Sequence, residues 1–210
     1  MSTIPVGKKT EDAILLDIST SMNWPAAEGH HGTRRGLVTE ALGIIVEDLM
    51  KDDTEAEALA ASGQTNAGIM VVVFSDSAQT LGDMTPENWK REIDNVQWEG
   101  GTQIMPGWNL IVKDFREEFG KLNADDRPVL KLLVITDGEA DDMEQFEAAC
   151  AQVKGEVFID VAIVGYGGAH DRVLAAYQAL SQTHPHVRVI SFDSQVDPNA
   201  LAESLISFRG

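Results

Sequence analysis

The chain has 210 residues, 16 Lys+Arg against 34 Asp+Glu, and a formal net charge of −18 at pH 7. A surface this acidic repels a phosphate backbone and anionic lipid alike, which excludes most nucleic-acid binders and membrane-docking proteins and favours hard cations or basic partners. With 43% hydrophobic residues the chain is composed like an ordinary globular protein, and residues 1–210 are read as one domain around one core.

Taken in chain order, short apolar runs alternate with helical periods. The runs are AILLD (13–17), GIMVVVF (68–74), VLKLLVIT (129–136), VFIDVAIVG (157–165) and VRVISF (187–192). Near-continuous Val, Ile and Leu marks parallel strands buried on both faces. Helices are expected over 33–51 with Thr33 as N-cap, 105–119, 142–153, 171–182 and 197–208, the last opened by Asp197-Pro198. SDSAQTLGD after the second run reads as a tight turn into a short antiparallel edge strand. The alternation implies an α/β fold, a doubly wound, Rossmann-like sandwich with helices on both faces. Function in such folds gathers at the carboxyl ends of the strands.

The loops at those ends are rich in oxygen. Asp17-Ile18-Ser19-Thr20-Ser21-Met22 follows the first strand, Gly100-Gly101-Thr102 lies mid-chain, and Thr136-Asp137-Gly138 follows a later strand. Three hydroxyls (Ser19, Ser21, Thr102) and two carboxylates (Asp17, Asp137) are hard donors that suit Mg²⁺, Mn²⁺ or Ca²⁺ rather than zinc or copper. A carboxylate ending a buried strand, as Asp17 does, is costly without a cation.

D-x-S-x-S-M, G-G-T and T-D-G in this order resemble the metal-ion-dependent adhesion site of von Willebrand factor type A domains, and the resemblance covers essentially the whole chain. It implies a mostly parallel six-stranded sheet of order 3-2-1-4-5-6 with a short antiparallel third strand. It implies direct ligation by Ser19, Ser21 and Thr102, with Asp17 and Asp137 holding the ion directly or through water. It also implies a protein partner whose Asp or Glu carboxylate completes the coordination. Adhesive members move their last helix. Here Leu201, Leu205 and Phe208 form an apolar stripe, and no mechanical relay is expected.

Other features read more plainly. Cys150 is one cysteine in an amphipathic stretch, so it gives no disulfide and no cysteine zinc cage and is expected to be buried or half-buried. His30 and His31 read as solvated loop residues, with a second metal site as the alternative. Trp24 and Pro25 read as packing for their loop or as an interface anchor. Glu139, Asp141 and Asp142 read as an acidic helix N-terminus, with an accessory cation site as the alternative. Gly165-Tyr166-Gly167-Gly168 reads as a flexible turn, and His184 and His186 as structural.

No Walker A loop, Cys/His cluster or G-x-S-x-G elbow occurs, so no enzyme is expected. The leading expectation is a metal-dependent protein-binding module, an adaptor or subunit that is monomeric by itself. A hydrolase or phosphoryl-transfer enzyme using the same ion as Lewis acid is the alternative, and a structural protein whose metal serves stability is a third reading. The N-terminal stretch holds no apolar run of signal-peptide length and no run approaches a membrane span, which makes the expected location cytoplasmic.

Overall fold

A computed structural model describes residue 4, residues 7–51 and residues 68–209. The N-terminal stretch read for a leader therefore lies partly outside the described residues, at 1–3 and 5–6. The elements are β1 (Thr10–Asp17), a 3₁₀ turn (Thr20–Asn23), α1 (Arg34–Lys51), β2 (Ile69–Phe74), β3 (Ala78–Met84), α2 (Trp89–Asp94) and α3 (Met105–Phe119). There follow β4 (Val129–Thr136), α4 (Met143–Gln152), β5 (Val157–Gly165), α5 (Gly167–Thr183), β6 (Val187–Asp193) and α6 (Pro198–Arg209).

The six strands form one sheet in the order β3-β2-β1-β4-β5-β6, parallel except for the antiparallel β2–β3 pair. Alternate residues feed opposite cores. Ile14 and Leu16 face α1, α2 and α6, whereas Ala13 and Leu15 face α3, α4 and α5. Each central strand is thus apolar on both sides, as its composition requires. Helix α3 comes close because its Gly107 leaves room: a Cβ there would lie 2.5 Å from Leu15 Cδ1.

Most helix boundaries follow local chemistry. Thr33 Oγ1 accepts the Gly36 N–H at 3.1 Å and Asp197 Oδ1 accepts the Asn199 N–H at 2.9 Å, so both expected N-caps operate. Two boundaries differ from expectation. Helix α5 starts at Gly167, inside the glycine-rich turn and ahead of the expected residue 171; Gly167, at φ 70°, turns the chain from β5 into the helix. Helix α2 was not expected; its Trp89 ring covers α1 at Gly43, where a Cβ would lie 2.4 Å from the ring.

At the amino ends of the strands, Arg188 makes a two-pronged pair with Asp160 at 2.7 and 2.8 Å. Arg209, at the end of α6, donates to Asp12 and to the Lys131 carbonyl, and Lys131 Nζ donates back to the Arg209 carbonyl. No helix among the described residues is long and apolar enough to cross a membrane.

Candidate metal centre

Strand order reverses between β1 and β4, and the site sits above that point, where the flanking connections diverge. Asp17 ends β1 with no exposed surface. Its Oδ1 accepts the Ser19 N–H at 2.8 Å and its Oδ2 accepts the Thr136 hydroxyl at 2.5 Å. Ser19 and Ser21 hydroxyls lie 3.1 Å apart, and Ser21 Oγ donates to Asp137 Oδ1 at 2.7 Å. Four of the five expected residues therefore form one hydrogen-bonded chain running from β1 to β4.

Thr102 arrives from the third loop. Gly138 lies against it, since a Cβ there would sit 3.1 Å from Thr102 Oγ1, and the Thr102 carbonyl accepts the Asp141 N–H at 2.8 Å. The loop is laced to its neighbours by Thr20 N–H to the Gly100 carbonyl (3.1 Å), Gly100 N–H to Thr20 Oγ1 (3.1 Å) and Gly101 N–H to Asp76 Oδ1 (3.0 Å). Gly100 takes φ 94°, a conformation that a side chain at this turn would oppose.

Two carboxylates, Asp17 and Asp137, interact electrostatically here. Burial, then the neighbouring Asp137 charge, pushes the Asp17 carboxyl up from 3.8 to about 6, against the opposing hydrogen bonds from Thr136 and Ser19. Among the described residues no three His, Cys, Asp or Glu side chains gather as a metal cage. The donor set is thus hydroxyl and carboxylate oxygen, which fits a hard divalent ion.

Two residues of the site were missed in the sequence. Thr136, the first letter of T-D-G, holds both Asp17 and its own loop: its hydroxyl meets Asp17 Oδ2 and accepts the Gly138 N–H at 3.1 Å. Arg34, the first residue of α1, donates from Nη1 to Asp137 Oδ2 at 2.5 Å. A signal existed for Arg34: a cation in the first turn of a helix opposes the dipole and needs another reason to be there.

Of the secondary candidates, Trp24 and the Gly165-Tyr166 turn lie against Arg34, and the Asp141 N–H bonds to the Thr102 carbonyl. His30 and His31 are exposed, on a hairpin-like loop closed by a Pro25–Thr33 bridge, and His30 Nδ1 accepts the Gly32 N–H at 3.0 Å. Asp142 is at the N-terminus of α4 as expected, but its carboxylate caps another helix, accepting the Ile104 and Met105 N–H groups at 2.9 Å each. Cys150 is buried, its thiol pushed up to about 12 by desolvation. His186 Nε2 lies 3.0 Å from the Cys150 carbonyl.

Several solved structures share this architecture. The SpRpn10 VWA domain superposes with a TM-score of 0.58 at 14% identity, covering 95% of each chain. The fold is that of a von Willebrand factor type A (VWA) domain. The manganese-loaded TRAP protein of Plasmodium vivax matches with a TM-score of 0.61 at 12% identity, over 97% of this chain and 74% of its own. Proximal thread matrix protein 1 from the mussel byssus, solved with a zinc-occupied MIDAS motif, matches with a TM-score of 0.59 at 18% identity, over 95% of this chain and 47% of its own. No protein-family model and no curated protein sequence matches the chain.

Proposed function

We propose that this VWA-fold chain is a divalent-metal-dependent protein-binding module rather than an enzyme. Ser19, Ser21 and Thr102 would ligate Mg²⁺, Mn²⁺ or Ca²⁺ through their hydroxyls, and Asp17 and Asp137 would hold it directly or through water. The observation that carries this reading is the buried Asp17 carboxylate, linked through Ser19, Ser21 and Asp137 into one oxygen-lined chain. Metal-loaded structures among the fold neighbours support a divalent ion in general.

Neutral hydroxyl ligands withdraw little of the ion's charge, so the ion stays electrophilic towards one more ligand, and an Asp or Glu carboxylate of a partner suits that position. The exposed Trp24 ring stands on the loop after β1, placed to meet such a partner as an aromatic anchor. A hydrolytic role for the same ion lacks support, since His30 turns its Nδ1 to its own loop. The reading takes the chain as a cytoplasmic adaptor or subunit, monomeric by itself.

Water-proton relaxation of the Mn²⁺-loaded protein tests the open position. A short peptide with a single Glu should lower the relaxation enhancement by displacing ion-bound water, and its Gln counterpart should not. Equal effects of the two peptides would remove carboxylate recognition from the account.

A further inference from the structure

Arg34 is buried where a helix disfavours a cation. Its side chain is 8% exposed, and its guanidinium lies 5.7 Å from the centre of the Trp24 ring and 5.9 Å from that of Tyr166. Gly165 makes the slot: a Cβ there would lie 3.3 Å from Arg34 Cζ, and its φ of 136° suits glycine. The Nε is buried with no hydrogen-bond partner among the described residues, so the guanidinium is held by the Asp137 pair and by ring faces rather than by a full set of acceptors. The loops after β1, β4 and β5 thus contribute Trp24, Asp137 and the Gly165-Tyr166 pair to keep one positive charge against one carboxylate.

We propose that Arg34 is a built-in counter-cation of Asp137 that weakens metal binding and leaves the bound ion receptive to an incoming carboxylate. This rests on the metal-dependent reading of the site. With Asp17 and Asp137 ionised, the guanidinium leaves the site one net negative charge, so a divalent ion makes it net positive; without Arg34 the loaded site would be neutral. Both oxygens of Asp137 are engaged, Oδ1 by Ser21 and Oδ2 by Arg34, which favours contact with the ion through water over direct ligation. A partner carboxylate then meets a positive field from the ion and from Arg34 together.

The two effects have opposite signs, and that separates the proposal from a packing role. Mn²⁺ alone is titrated into wild type, Arg34→Gln and Arg34→Lys, with circular dichroism checking the fold, and glutarate is then titrated into each Mn²⁺-loaded protein. Arg34→Gln should bind Mn²⁺ about fivefold to tenfold more tightly and glutarate at least about fivefold more weakly, while Arg34→Lys keeps the charge and stays within about twofold of wild type in both. Trp24→Ala, an exposed change that opens the slot, should raise Mn²⁺ affinity about twofold, and it carries the test if Arg34→Gln does not fold. Tighter Mn²⁺ binding together with weaker glutarate binding by Arg34→Gln supports the proposal, and tighter Mn²⁺ binding with glutarate binding unchanged or tighter overturns it. Saturable binding by wild type with unchanged or weaker binding by Arg34→Gln overturns it and leaves the metal site standing. If neither protein binds Mn²⁺, both readings fall.

Discussion

A carboxylate without exposed surface at the end of a central strand destabilises a fold until a cation meets it. Asp17 is in that position, and its carboxyl is pushed up to about 6 by burial and by Asp137. Asp17→Asn keeps an acceptor for the Ser19 N–H and removes the charge. In EDTA it should therefore stabilise the chain by about 2 kcal/mol, while abolishing any rise in Tm on adding Mn²⁺. Thermal melts with and without metal check both halves, and a variant less stable than wild type in EDTA would contradict the electrostatic reading. His186 gives a second charge effect, away from the site. Its Nε2–H donates to the Cys150 carbonyl, which leaves Nδ1 buried and, among the described residues, without a partner to receive a second proton. Desolvation first, then the His184 and Lys154 charges, hold its pKa below the ordinary 6.5, against the hydrogen bond to Cys150. The unfolded chain thus takes the proton first, so this contribution to stability is whole above pH 6.5 and is lost as pH falls towards the folded value. Melts from pH 7.5 to 5.5 should show a smaller loss in His186→Gln than in wild type, and parallel curves would contradict it.

Between elements, Asp142 joins the loop after β4 to the start of α3 by two charged hydrogen bonds, to Ile104 and Met105. This fastens the T-D-G loop to the segment bearing Thr102. Asp142→Ala should cost about 1–2 kcal/mol, as the loss of a helix cap does, and should also weaken Mn²⁺ binding although Asp142 is not a proposed ligand. Denaturant melts and calorimetry read the two effects, and unchanged metal affinity would mean that the loops hold their places without it. The same residue shows how far sequence reading reaches. An acidic residue at a helix start is legible, but which helix it caps is settled by how the loop after β4 meets the start of α3. The strands were legible because burial on both faces demands unbroken Val, Ile and Leu, and Asp17, Ser19, Ser21 and Asp137 followed because loops after such strands share an edge. Strand order came through the resemblance carried by the three motifs. Helix α2 was not legible, since its Trp89 finds its seat on Gly43 of a distant helix. Nor was the Arg34–Asp137 pair, which joins residues 103 apart in sequence.

Over the whole molecule, the sheet is fastened differently at its two ends. At the amino ends of the strands Arg209 ties α6 to Asp12 and Lys131, and Arg188 pairs with Asp160. At the carboxyl ends two buried acids, Asp17 and Asp137, repel each other, and Arg34 pairs with one of them, in a chain of net charge −18. A divalent cation at that end would relieve the local repulsion and draw on the acidic field around it. The measurement that tests this most directly is isothermal titration of Mn²⁺ into wild type beside the Ser19→Ala/Ser21→Ala double variant, whose substitutions remove two hydroxyls and leave every strand intact. Saturable binding by wild type, absent in a folded double variant, is the predicted result. A double variant that binds Mn²⁺ as wild type does would contradict it and move the cation, and the function, away from this edge of the sheet.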